Sequence, residues 1–222
     1  MPLAKVRILY GRAKYILRDE GAFYFIRLVF SRLLKSLLSY EYLYYYEKEL
    51  KEQDKVEFVP KIPNVTLEII RTAEQYNELA IRGYHFESMV SKELINKGGI
   101  ALCTFVQREL ACINWIATNE ESKKYIDPIP FNVDFQNGEA CSGGSRTFEQ
   151  YRGQGLYGYS VSALFRFLRE EGKTVDKFTA SVNNVAVTNT IAKFNPKIMK
   201  LEYRTFFFHS HIKITPTIYT AP

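Results

Sequence analysis

The spacing of hydrophobic positions changes near residue 60. From Ala22 to about Tyr46 they repeat as on a helix. Val29, Phe30, Leu33, Leu34, Leu37 and Tyr40 gather on one half of the wheel, and Arg27, Ser31, Arg32, Lys35, Ser36 and Ser39 on the other. This pattern predicts one amphipathic helix, with Tyr42, Tyr44, Tyr45 and Tyr46 as its apolar end. The charged run Glu47–Lys55 follows, and Pro60 and Pro63 then stop regular structure. Residues 1–60 are therefore read as a helical extension with its linker, and residues 61–222 as one domain.

Within that domain, Val65–Arg71 alternates like a strand, and Thr72–Lys97 reads as helix, interrupted near Gly83 and ended by Gly98-Gly99. Ile100–Val106 and Leu110–Ala117 predict a hairpin about the polar turn Gln107-Arg108-Glu109. After a loop with Pro128 and Pro130 come a small-residue strand, Gly138–Phe148, and a helix, Leu156–Glu171. A strand at Lys177–Val182, a helix at Val185–Phe194 and a strand near Ile198–Phe208 complete the pattern. The order β, α, β-β-β, α, β, α, β predicts an α/β (α+β) fold, a mixed sheet flanked by helices.

Composition adds a limit and a location. At 222 residues and 46% hydrophobic, the chain can bury a real core. The net charge of +6 is confined to the front: residues 1–40 hold eight basic and two acidic side chains, leaving 22 of each sign beyond. A diffuse nucleic-acid surface is thus not expected, and the question becomes what a basic segment does for a neutral body. Docking on its own domain, pairing with a second copy as a homodimer, and peripheral contact of residues 1–47 with an anionic membrane face are the three fates open to it.

Cys103, Cys112 and Cys141 have neither disulfide-framework nor metal spacing, although the first two could face each other across the hairpin. The N-terminal residues lack the apolar run of a signal peptide, and Arg27, Arg32 and Lys35 interrupt the best candidate span, so a cytoplasmic protein is expected. His209-x-His211 has no third ligand nearby, and no metal is expected.

The chemistry centres on Glu149–Gly158, which joins the small-residue strand to a helix. Glycines in such a turn let backbone N–H groups converge, and the helix start adds its positive dipole end, which together suit a pyrophosphate. Gly153-x-Gly155-x-x-Gly158 matches the dinucleotide fingerprint. That reading needs a ribose-binding acid at the end of the next strand, whereas Asp176 is read as preceding that strand.

Gln150-x-x-Gly153-x-Gly155 resembles the acyl-CoA loop of the GNAT (GCN5-related N-acetyltransferase) superfamily, and the likeness extends from about Val65 to Phe208. The resemblance implies a GNAT-like fold behind an N-terminal helical extension. It implies acetyl-CoA as acyl donor, held by Thr147, Phe148, Gln150, Tyr151, Arg152, Gly153, Gln154, Gly155, Leu156, Tyr157 and Asn184. It also implies that the strand carrying Gly143-Gly144 is bulged and splayed to receive the pantetheine arm. The tyrosine the family often uses as general acid is Ile191 here, which leaves Tyr157 and Tyr203 as substitutes, and Asn195-Pro196 stands where Gly-Phe is usual.

Glu139, eleven residues before Gln150, corresponds to the family's carboxylate base. The chemistry asks for one: an amine of pKa about 8 to 10 must lose a proton before attacking a thioester. An N–H near Thr147 or Phe148 would stabilise the oxyanion. His85 lies where the family binds acceptors, here a small-molecule or sugar amine. Direct transfer leaves no role for Cys141 as a nucleophile. The alternative reading is a non-catalytic acyl-CoA sensor or partner-binding protein on the same scaffold.

Overall fold

The computed structural model describes residues 38–51, 56, 58–86, 89–206 and 209–216. These fall into two compact units, residues 42–201 with 214–216, and residues 38–41 with 202–213. The strands are β1 (Leu38–Glu49), β2 (Val65–Ile70), β3 (Gly99–Val106), β4 (Glu109–Ala117), β5 (Glu139–Thr147), β6 (Val175–Ser181), β7 (Lys197–Phe206) and β8 (His209–Pro216). Five α-helices are described: α1 (Ala73–Ile81), α2 (Lys92–Asn96), α3 (Glu120–Ile126), α4 (Leu156–Glu170) and α5 (Val185–Ala192). The strand order is β2-β3-β4-β5-β6-β1-β7-β8. Pairs β2–β3, β3–β4, β4–β5 and β1–β6 are antiparallel, and β5–β6 is parallel. The mixed α/β sheet expected from the hydrophobic pattern is present.

The helix expected through Tyr46 is not. Leu38–Glu49 is a strand, and residues 22–37 lie outside the described residues. Tyr46 is fully buried and stacks on Phe178 of β6 at 4.9 Å, while Tyr45 meets Phe131 at 5.0 Å. Alternate side chains of an interior strand must be apolar on both faces, and a tyrosine run satisfies that as readily as it satisfies one face of a helix. Pairing with β6 decides between them.

Helix α4 carries the main core. Val161, Leu164, Phe165 and Leu168 pack with Tyr46, Leu102, Ile116, Phe178, Ile191 and Phe194. Two elements that the pattern did not signal are α3 and β8. The short α3 is set by a capping box in which Asn119 and Ser122 satisfy each other's backbone N–H. Cys103 pairs with Ile113 and Thr104 with Cys112, so the two cysteines point to opposite faces of the hairpin and remain free thiols. Among the described residues, no helix is long and apolar enough to cross a membrane.

Candidate functional site

The site is built where two parallel strands stop pairing. β5 and β6 are in register at Glu139↔Val175, Ala140↔Asp176 and Cys141↔Lys177, and no further. Beyond that fork β6 stays on β1 as far as Ser181, and β5 stays on β4. β5 also bulges. The register with β4 shifts between Ile113↔Arg146 and Trp115↔Gly143, so Gly144 and Ser145 oppose the single residue Asn114. Gly144 takes φ +57°, and a Cβ there would lie 3.2 Å from the Trp115 ring. The bulge is tied down by Asn114, which accepts from the Ser145 hydroxyl and donates to Ser160 of α4.

A cavity of about 230 Å3 fills the fork. Ser142 to Ser145 of β5 form one wall and Phe178 to Ser181 of β6 another. Tyr157, Val161, Leu164 and Phe165 of α4 close it together with Val187 and Ile191 of α5. Asn184 lines it too, and caps α5 by accepting from the Val187 N–H at 3.3 Å.

At the edge of the cavity the chain turns into α4. Glu149–Tyr151 forms a 3-10 turn, Gly153 and Gly155 take φ +75° and +78°, and Leu156 begins the helix. No side chain caps α4. Its first N–H groups lack intrahelical partners and lie at the positive end of the helix dipole. Gly158 has a different reason to be glycine. A Cβ there would meet Phe58 at 2.5 Å, because the segment before β2 crosses this turn of the helix. That segment is pinned by Lys61 N–H to Gln154 O at 2.9 Å and by the Ser162 hydroxyl to Val56 O at 2.9 Å.

The dinucleotide reading fails on Asp176 as well. This residue is the second of β6, not a residue ahead of it, and it is fully buried. Its Oδ2 accepts from the Ser142 hydroxyl at 2.6 Å, and its Oδ1 has no hydrogen-bond partner among the described residues. Burial pushes this carboxyl up to about 7, against the pull of the Ser142 bonds.

The residues named from the sequence separate into groups. Tyr157 and Asn184 line the cavity, and burial raises the Tyr157 phenol above its ordinary value. Gln150, Tyr151, Arg152, Gly153, Gln154 and Gly155 form the turn beside it, with the Arg152 Nε reaching back to Thr147 O at 3.4 Å. Leu156 and Phe148 are buried props. The Phe148 N–H is committed to Ala111 O at 2.9 Å, so it cannot serve an oxyanion. Thr147 opposes Cys112, and because bonded and unbonded pairs alternate, its N–H faces away from β4.

Glu139 lies outside the cavity, in a neighbouring groove with Glu47, Lys177 and Lys197. There it pairs with Lys177 and accepts from the Asp134 N–H at 2.6 Å. His85 pairs with Glu109 at 2.8 Å and does not line the cavity. Tyr203 is in β7, and its side chain lies outside the described residues, as do those of His209 and His211. No group of three metal-ligating residues occurs among the described residues. Cys141 is fully buried, and burial raises its thiol, which keeps it protonated and inert. Asn114, Asp127 and Ser142 were not signalled by the sequence, and Asp176 was weighed there only as a ribose-binding acid, because their partners are distant in the chain.

No family model matches the sequence, and no curated protein matches it. Solved structures do resemble it. A GNAT-family acetyltransferase from Colwellia psychrerythraea shares 14% identity over 86% of this chain and 62% of its own, with a TM-score of 0.48. A Drosophila protein shares 12% over 82% and 57%, with a TM-score of 0.47. A GCN5-related N-acetyltransferase from Kribbella flavida shares 17% over 67% and 52%, with a TM-score of 0.38. The chain thus spans less than two thirds of each of these three, and at TM-scores below 0.5 no residue role carries over from them.

Proposed function

We propose that this chain is an acyl-CoA-dependent N-acyltransferase that moves a short acyl group, acetyl above all, from the CoA thioester directly to an amine. One observation supports the reading most: β5 and β6 pair over three residues and part, opening a cavity lined by Tyr157, one residue after the helix begins at Leu156. A slot with apolar helical walls and an anion-binding backbone beside it suits a slender arm with a pyrophosphate further out. Bound acyl-CoA supplies the activated acyl group, and the chain supplies orientation and proton handling.

Asn184 is assigned to contacts along the arm, and Gly153–Gly155 to the pyrophosphate. Tyr157 takes the place of the family tyrosine missing at Ile191. Its partly buried phenol stays protonated and can give its proton to the departing thiolate. Glu139 is four residues, about 13 Å of extended strand, from Gly143 in the cavity wall. Any proton it removes from the amine therefore travels through water. The acceptor is a small-molecule or sugar amine.

The test is release of CoA thiol from acetyl-CoA across a panel of amines. The parent should turn over at least one of them, and Tyr157→Phe should lose about 100-fold in kcat with little change in KM for acetyl-CoA. An unchanged rate in Glu139→Gln removes Glu139 from the mechanism. Tight acetyl-CoA binding without turnover favours a sensor on the same scaffold. Failure to bind acetyl-CoA at all sinks both readings.

A further inference from the structure

The fork itself needs an explanation, because parting two strands strands their backbone groups. Continuing the β5–β6 register by two residues would pair Gly143 with Thr179. Instead, both residues contact the C-terminal end of α3. The Thr179 N–H donates to Asp127 Oδ2 at 3.1 Å, and its hydroxyl donates to the same oxygen at 2.8 Å. A Cβ on Gly143 would lie 3.0 Å from the Ile126 carbonyl oxygen. Residues 126 and 127 thus stand where the next rung of the ladder would be, touching one prong with a carbonyl and the other with a carboxylate.

The carboxylate is well held there. Its Oδ1 accepts from the Ile129 N–H at 3.1 Å, and the side chain is almost entirely buried. Lys123 binds the carbonyls of Ile129 at 2.7 Å and Asp127 at 3.4 Å, with its ammonium 3.9 Å from the Phe131 ring centroid. An edge N–H buried without an acceptor would pull β6 back toward β5. Asp127 removes that pull by taking the place of the missing β5 carbonyl.

We propose that Asp127 is a positioning residue that wedges β5 and β6 apart and so sets the width of the slot for the acyl-CoA arm. The role in ligand binding rests on the acyltransferase reading above; the wedge does not. Asp127→Asn keeps one acceptor oxygen for Thr179, whereas Asp127→Ala keeps none.

The experiment measures amide hydrogen exchange at Thr179, acetyl-CoA affinity, and the KM values for acetyl-CoA and amine in the parent and both variants. Exchange at Thr179 should rise about 10- to 100-fold in Asp127→Ala and less in Asp127→Asn, as for loss of a charge-assisted bond. Acetyl-CoA binding should weaken about tenfold in Asp127→Ala, with KM for acetyl-CoA rising and KM for the amine unchanged. If Asp127→Ala does not fold, the same graded shifts are required of Asp127→Asn. Unaltered exchange at Thr179 overturns the wedge. Faster exchange with unaltered acetyl-CoA affinity overturns its control of the slot. A parent that binds no acetyl-CoA, yet shows the exchange response, overturns the acyltransferase reading while the wedge stands.

Discussion

A carboxyl buried at the fork carries a cost that depends on pH. Asp176 has its folded value pushed up to about 7, against about 4 in an unfolded chain. Between these values the folded protein holds a proton that the unfolded chain has released. Stability contributed by the neutral acid is therefore fully present below about pH 4, falls as pH rises to about 7, and is constant above. Asp176→Asn, which can still accept from Ser142, should remove this dependence. The melting temperature of the variant should gain on the parent across that window, and parallel curves would refute the assignment. Gly158 is decided by packing instead. Alanine at a helix interior normally stabilises by about 0.5–1 kcal/mol. Here a Cβ would meet Phe58 at 2.5 Å, with the ring already held against Phe194. Gly158→Ala should thus cost about 1–3 kcal/mol in denaturant midpoint. In a Phe58→Ala background the same change should become stabilising, a sign reversal that no dinucleotide role for Gly158 would produce.

Elements were legible where the signal is local. The glycine turn, the start of α4 and the strand–helix alternation from Val65 onward follow from residues close together in sequence, and the structure has them. The interruption of the first helical region near Gly83 also came through, as α1 and α2. What failed was period. A stretch such as Leu43–Tyr46 fits a helix face and a two-faced strand alike, and the helical reading covered nine residues of the strand, Leu38 to Tyr46. α3 escaped because its seven residues hold only one apolar period, yet its C-terminal end places the wedge at the fork. The bulge at Gly144–Ser145 was expected only from the resemblance that Gly143-Gly144 carries. Its position opposite Asn114 needed the partner strand.

For the whole molecule, the consequence is that residues assigned to a front extension form part of the main sheet. β1 is hydrogen-bonded to β6 from Leu43↔Ser181 to Glu49↔Val175, and Tyr46 sits in the same core as α4. Tyr46→Ala should therefore cost about 3–5 kcal/mol of global stability, read from the denaturant midpoint. A loss below about 1 kcal/mol would mean that β1 is a dispensable appendage. The basic excess of residues 1–40 lies wholly outside the described residues. The pyrophosphate site proposed at Gly153–Gly155 owes nothing to it, since its donors would be backbone N–H groups.

The sequence by itself determined the glycine turn and the order of most elements after residue 60, α3 and β8 excepted, because backbone conformation and periodicity are encoded by neighbours along the chain. Only the tertiary structure decided that the tyrosine run is a strand, that Glu139 faces a different groove from the cavity, that Asp127 meets Thr179 at the fork and that Asp176 is buried against Ser142. Those outcomes depend on pairs such as Ser142–Asp176 and Asp127–Thr179. Their partners lie tens of residues apart, and their energies arise from burial that exists only once the chain has folded.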